Sequence, residues 1–129
     1  MESMSEQVFL ILTALADQPR HGYGITEEVH RLTNGKVRLR TATLYAALDR
    51  LAGRGTLTVD REEAVDGRLR RYYRITEAGT AALDAEATRM AEQAALARKR
   101  LNTLRPGTAQ RVWGRPVSGG VDGMAGAPA

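Results

Sequence analysis

Apolar residues recur at helical spacing through most of the first hundred positions. Val8, Ile11, Leu12 and Leu15 stand at i, i+3, i+4 and i+7 and predict a first helix. Phe9 and Leu10 widen its stripe, so this helix needs packing partners on more than one side. Beyond Pro19, Ile25, Val29 and Leu32 predict a second helix, which Asn34-Gly35 ends. A third is expected to start with Thr41 as its N-cap, to carry Leu44, Ala47, Leu48 and Leu51 on one face, and to stop at Gly53 and Gly55.

The period then changes from helical to alternating. Leu57 and Val59 alternate with Thr58 and Asp60, Asp66-Gly67 supplies turn chemistry, and Leu69, Arg71, Tyr73 and Ile75 alternate with Arg70, Tyr72 and Arg74. A two-stranded antiparallel hairpin follows from this pattern. Thr76 is placed to cap a long Ala-rich helix in which Leu83, Ala87, Met90, Ala94, Ala97, Leu101 and Leu104 follow a 4-3 repeat. From Thr76 to Leu104 such a helix would be roughly 43 Å long at 1.5 Å per residue, more than a core of this size can cover. The excess seam calls for a second chain, and a homodimer is the simplest closure. The seam residues, with Phe9 from the first helix, are the expected dimer contacts.

Charge is distributed unevenly. Residues 1–35 carry two basic and five acidic side chains, whereas residues 36–74 carry ten basic and five acidic. A central basic segment in a chain of net charge +4 is the electrostatic footprint of a surface that meets a polyanion. The chain has no cysteine, which excludes disulfides, thiolate metal sites and a cysteine nucleophile. Its serines are Ser3, Ser5 and Ser118, and its histidines are His21 and His30, so no convergent acid, base and nucleophile is in view and an enzyme is not expected. A nine-residue spacing of the two histidines does not build a closed four-ligand zinc site; neither a metal nor a cofactor is expected, and His21 is read as a cap or packing residue at the start of the second helix. No apolar run approaches the length of a membrane span and the N-terminus lacks signal-peptide features, so a cytoplasmic location without membrane contact is expected.

Three short helices followed by a basic hairpin are the arrangement of a winged helix-turn-helix, mainly α with a small β-hairpin. In it a trihelical core presents the third helix to the major groove and the hairpin touches the flanking backbone. The expected domains are the winged helix-turn-helix at 1–75, the dimerisation helix at 76–104, and a flexible tail at 105–129. That tail holds six glycines, three prolines and the one tryptophan, Trp113. The candidate contacts to double-stranded DNA are Arg38 and Arg40 ahead of the third helix, Thr41, Thr43, Tyr45 and Arg50 on it, and Arg68, Arg70 and Arg71 on the hairpin. Tyr73, alternating with Ile75, is read as packing.

Three motifs carry a resemblance: H-G-Y-G-I at 21–25, T-L-Y-A-A-L-D-R-L at 43–51 and R-R-Y-Y-R-I-T-E-A-G at 70–79. In this order they resemble the PadR family of bacterial transcriptional regulators, over roughly Val8 to Ala82. The resemblance implies a homodimeric winged-helix repressor that binds a palindromic operator and dimerises through its C-terminal helix. It further implies a small hydrophobic or phenolic effector, bound near the dimer interface, that releases the DNA. Ala46 stands where the family usually has proline, and Ala42 where it usually has glycine; both substitutions favour the helix. A single C-terminal helix marks the short branch of the family, and that helix has no tryptophan of the kind that sandwiches flat ligands in drug-binding members. The competing reading is a winged-helix module for protein contact without sequence-specific DNA binding. The salt dependence of duplex binding separates the two.

Overall fold

The structure, a computed structural model, describes residues 4–104; the expected tail and Trp113 lie outside the described residues. The element order is α1 (Glu6–Leu15), β1 (Arg20–His21), α2 (Gly22–Leu32), α3 (Thr41–Gly53), β2 (Leu57–Val65), β3 (Arg68–Ile75) and α4 (Glu77–Leu104). The fold is thus mainly helical, with a small antiparallel sheet and a long C-terminal helix. No helix of the described residues is long and apolar enough to cross a membrane.

The helices start and stop where side chains satisfy their end groups. Ser5 Oγ accepts from the Val8 amide at 3.1 Å to open α1. His21 Nδ1 accepts from the Gly24 amide at 3.2 Å to open α2, the cap expected of this residue. Asn34 and Gly35, at φ 53° and 80°, take the left-handed conformation that ends α2. At α3 the expectation fails by one position: Arg40 is the N-cap, in extended backbone and without a side-chain cap bond, and Thr41 is already helical. A threonine ahead of an apolar stripe suits a cap, but the extended conformation that a cap needs falls on the residue before it.

The core lies where the three short helices meet. Ile11, Leu12, Ala14 and Leu15 of α1, Ile25 and Val29 of α2, and Leu44, Ala47, Leu48 and Leu51 of α3 are buried together, joined by Leu39, Leu57 and Tyr73. Arg20 ties this packing together at its edge. Its Nε donates to the Ala14 carbonyl at 2.8 Å, occupying an end group of α1, while Nη2 lies 3.2 Å from Asp17 and 3.8 Å from Glu28 on α2.

The hairpin has a third strand beside it, which the alternating pattern does not reveal. The order is β1-β3-β2, with Arg20 opposite Tyr73 and His21 opposite Tyr72. Asp66 and Gly67, at φ 50° and 76°, form the two-residue turn between β2 and β3. A bulge at Asp60 shifts the register between Val59 and Arg61, and so sets Arg61 beside Tyr72, its guanidinium carbon 3.9 Å from the ring centroid. On its other side Tyr72 meets the His21 ring edge-on at 5.2 Å.

Thr76 caps α4: its Oγ1 accepts from the Gly79 amide at 3.0 Å and lies 2.6 and 2.9 Å from the carbonyl oxygens of Gly55 and Thr56. Gly79 is buried, and a methyl group there would overlap the Thr56 carbonyl, so only glycine lets α4 start this close to the α3–β2 turn. Leu83 also packs against the core. Contacts divide the chain into a first unit ending at Thr88 and a second beginning at Arg89. In the second, every described residue from Met90 to Leu104 is exposed.

Candidate nucleic-acid interface

The leucines of α3 fix its rotation. With Leu44, Leu48 and Leu51 turned into the core, Thr41, Tyr45 and Asp49 form a row on an exposed flank, four residues apart and so about 40° from one another around the helix. Ala42 and Ala46 continue the outward face, with Arg50 beyond them. Thr43 lies on the far flank next to Ala47 and is half-buried, away from that row.

Tyr45 sits at the junction of two clefts. One, of about 590 Å³, is lined by Tyr23, Thr26, Arg38, Arg40, Thr41 and Tyr45 among others, and opens at the N-terminus of α3. The second, of about 450 Å³, lies between the helices and the hairpin and is lined by His21, Tyr23, Tyr45, Asp49, Arg68 and Arg70 among others. Gly22 positions the tyrosine: a methyl group at residue 22 would fall on the Tyr45 phenol, so the ring lies directly against the start of α2. Seven of the nine sequence-derived candidates line one or both clefts: Arg38, Arg40, Thr41 and Tyr45 the first, and Tyr45, Arg68, Arg70 and Arg71 the second. Arg50 and Thr43 line neither.

The arginines differ in what holds them. Arg71 pairs with Glu62 across the hairpin at 3.0 Å, and Arg61 with Asp60 at 3.0 Å and Glu63 at 2.7 Å. The hydrogen bond from Arg61 holds the Glu63 carboxyl below the usual carboxylate range. Arg38 donates from Nη2 to His30 Nε2 at 3.1 Å. Arg40, Arg50, Arg68 and Arg70 make no ion pair or hydrogen bond among the described residues, so their charge is not spent on internal partners. His21, between α2 and the hairpin, has its pKa lowered, first by burial and then by the charge of Arg70. Among the described residues no group of three or more histidines and carboxylates could hold a metal.

The model of the transcriptional regulator PadR-like family matches residues 11–85, more than half of the chain. The chain belongs to the PadR-like family. The matched span takes in the trihelical core, both clefts, the hairpin and the first turns of α4. A transcriptional regulator of Mycobacterium tuberculosis, Rv3488, is 47% identical over 73 residues, which are 57% of this chain and 64% of that protein. This chain therefore spans somewhat less than two thirds of that relative. A PadR family regulator of Clostridium difficile R20291 superposes with a TM-score of 0.63 at 20% identity, covering 75% of this chain and 99% of that one. Bacillus subtilis PadR, solved in complex with operator DNA, superposes with a TM-score of 0.57 at 21% identity, over 63% of this chain and 46% of that one. At these identities both structures speak for the PadR-like fold alone.

Two features of the site escaped the sequence patterns. Tyr23 lines both clefts and is 67% exposed, outside the apolar spacing that marks the inner face of the second helix. Asp49 lies on the α3 flank beside three arginines; its place four residues after Tyr45 was the available signal.

Proposed function

We propose that this PadR-like chain is a transcriptional repressor that binds a palindromic DNA operator as a homodimer. In this reading α3 enters the major groove, Arg38 and Arg40 anchor phosphates at its N-terminus, and the β2–β3 hairpin lays Arg68 and Arg70 on the flanking backbone. Arg71 contributes through its cross-strand pair with Glu62, which orders the hairpin. The second chain covers the 4-3 seam of α4, from Ala87 to Leu104, with Phe9 at its margin, and a two-fold axis then places the two α3 helices on successive major grooves about 10 base pairs apart. A small hydrophobic or phenolic effector that alters the interface changes the separation of those helices and releases the DNA.

The observation that carries this reading is the cleft in which unpaired Arg68 and Arg70 face the Tyr45–Asp49 flank of α3 across a gap open to solvent. Cations without internal partners, set beside a helix whose inner face is locked by leucines, suit a duplex whose phosphates lie on the hairpin side of the cleft and whose base edges face the helix flank. The test is the salt dependence of binding to duplex DNA. Each phosphate contact contributes a log–log slope of about −0.9, so replacing both Arg68 and Arg70 by Ala, four contacts in the dimer, should weaken binding to all sequences and flatten the slope by about 3.6 units. An unchanged slope removes the hairpin from the interface. Salt-independent binding, or none, leaves the fold as a protein-contact module.

A further inference from the structure

We propose that Asp49 is a specificity-determining residue that reads cytosine in the major groove; the inference rests on the DNA-binding reading above and extends it to base selection. Asp49 is exposed, follows Tyr45 by one helical turn, and lines the cleft with Arg68, Arg70 and Arg71. In spite of those three cations it makes no ion pair or hydrogen bond among the described residues. The hairpin carboxylates behave differently: Asp60, Glu62 and Glu63 are each bound to an arginine. The charge of Asp49 is therefore left for whatever occupies the cleft.

An ionised carboxylate accepts hydrogen bonds and donates none. On a surface built to meet DNA this excludes most of what the duplex offers. Phosphate oxygens repel it, and guanine N7 and O6 and thymine O4 are acceptors as well. Two donors remain in the major groove, the exocyclic amino groups of cytosine and adenine. The adenine amino group stands between two acceptors, its own N7 and thymine O4, whereas cytosine N4 has an acceptor, guanine O6, on one side only and C–H on the other, so a second carboxylate oxygen meets less repulsion there. Cytosine is the better fit. Asp49 thus lowers the affinity for DNA in general and makes the loss smallest where a cytosine lies under it, which is discrimination by repulsion as much as by attraction.

The experiment selects bound duplexes from a library with a randomised core, using the full chain in three forms: wild type, Asp49→Asn and Asp49→Ala. Binding of the selected duplexes and of the unselected library is then titrated. The wild type should prefer cytosine at one position of each half-site by about tenfold, within the range that a single mismatched pair costs. Asp49→Ala should lose that preference and keep the others. Asp49→Asn should move it to adenine, because an amide matches the N6 and N7 pattern. Both variants should bind the unselected library more tightly than the wild type. Identical base preferences in all three proteins, with only a uniform gain in affinity, overturn the proposal and reduce Asp49 to a repulsive surface charge. If the wild type ignores duplex DNA at low salt, the DNA-binding reading itself falls, a result distinct from selection that succeeds without a cytosine signal. Asp49 is on the surface and either replacement suits a helix, so the three forms can be compared as folded proteins.

Discussion

α3 and the distal half of α4 carry apolar stripes of similar regularity and meet opposite fates. On α3, Leu44, Leu48 and Leu51 are 2%, 0% and 4% exposed. On α4, Met90, Leu101 and Leu104 are 43%, 45% and 70% exposed. A stripe in the sequence states that a helix needs a partner; it does not state which chain provides one. For α3 the partners are α1, α2 and the start of β2, all within 60 residues. For α4 the supply ends at Leu83, the last seam position to touch the core. Composition differs in the same sense. The distal segment is rich in Ala, Leu and Arg, which favour a helix by propensity, whereas α3 holds four residues in the core and is stabilised mainly by packing.

The contrast predicts unequal responses to the same kind of damage. Leu48→Ala should have the largest effect, a loss of about 2–5 kcal/mol in unfolding free energy by urea titration, because it opens a cavity at a position with no exposure to relax into. If the loss is below about 1 kcal/mol, α3 is held less tightly than its burial implies. Placing Asp at Ala94 should leave that titration, run at concentrations where both forms are monomeric, within about 0.7 kcal/mol of wild type, the cost of helix propensity on an exposed face. Its effect belongs to assembly: a charge buried in the proposed seam should weaken the dimer at least tenfold, about 1.4 kcal/mol, as measured by sedimentation. A dimer of unchanged affinity would mean that the exposed stripe of α4 is not where the second chain binds.

The parts of the fold that could be read in advance are those in which a local pattern and its partner lie on the same face. The leucines of α3, the Asn34-Gly35 stop, the Asp66-Gly67 turn, the Thr76 cap and the packing of Tyr73 all belong to this class. β1 does not. Two residues cannot show alternation, and Arg20 and His21 become a strand only because β3 arrives beside them. The length of β2 was hidden too, since Asp60, Arg61, Glu62 and Glu63 show no apolar alternation. Asp60 and Glu62 pair across the hairpin with Arg74 and Arg71, while Arg61 pairs along the strand with Asp60 and Glu63; with the bulge, the cross-strand pairs show up only once the register is known. At the site, residue type picked out the arginines and Tyr45. It could not show that Arg71 is paired and Arg68 is not, nor that Asp49 shares their cleft. The phase of the α3 leucines turns Thr43 toward the helix's buried flank and Asp49 outward, so the rotation was legible where residue type pointed the other way.

The smallest expected effect sharpens the comparison by pH. His21 belongs to the first unit and the distal α4 has no histidine, so acid should act on one side of the contrast alone. His21 Nδ1 accepts the Gly24 amide and therefore needs to be without a proton. Burial, and then the charge of Arg70, lower its pKa in the folded chain. The unfolded chain consequently takes up the proton first as pH falls. Stability from this residue is fully present above the ordinary histidine pKa of about 6.5 and declines below it, levelling off once pH passes under the lowered folded value. Thermal unfolding at pH 7.5 and at successively lower values should show a falling Tm through that window. His21→Asn keeps a cap acceptor that does not titrate, so it should lower the Tm slightly at pH 7.5 and flatten the dependence. Arg70→Ala should flatten it in part, by removing the nearby positive charge while leaving the burial. A slope identical in wild type and His21→Asn would assign the acid response to other groups and reduce the contact with Gly24 to a geometric coincidence.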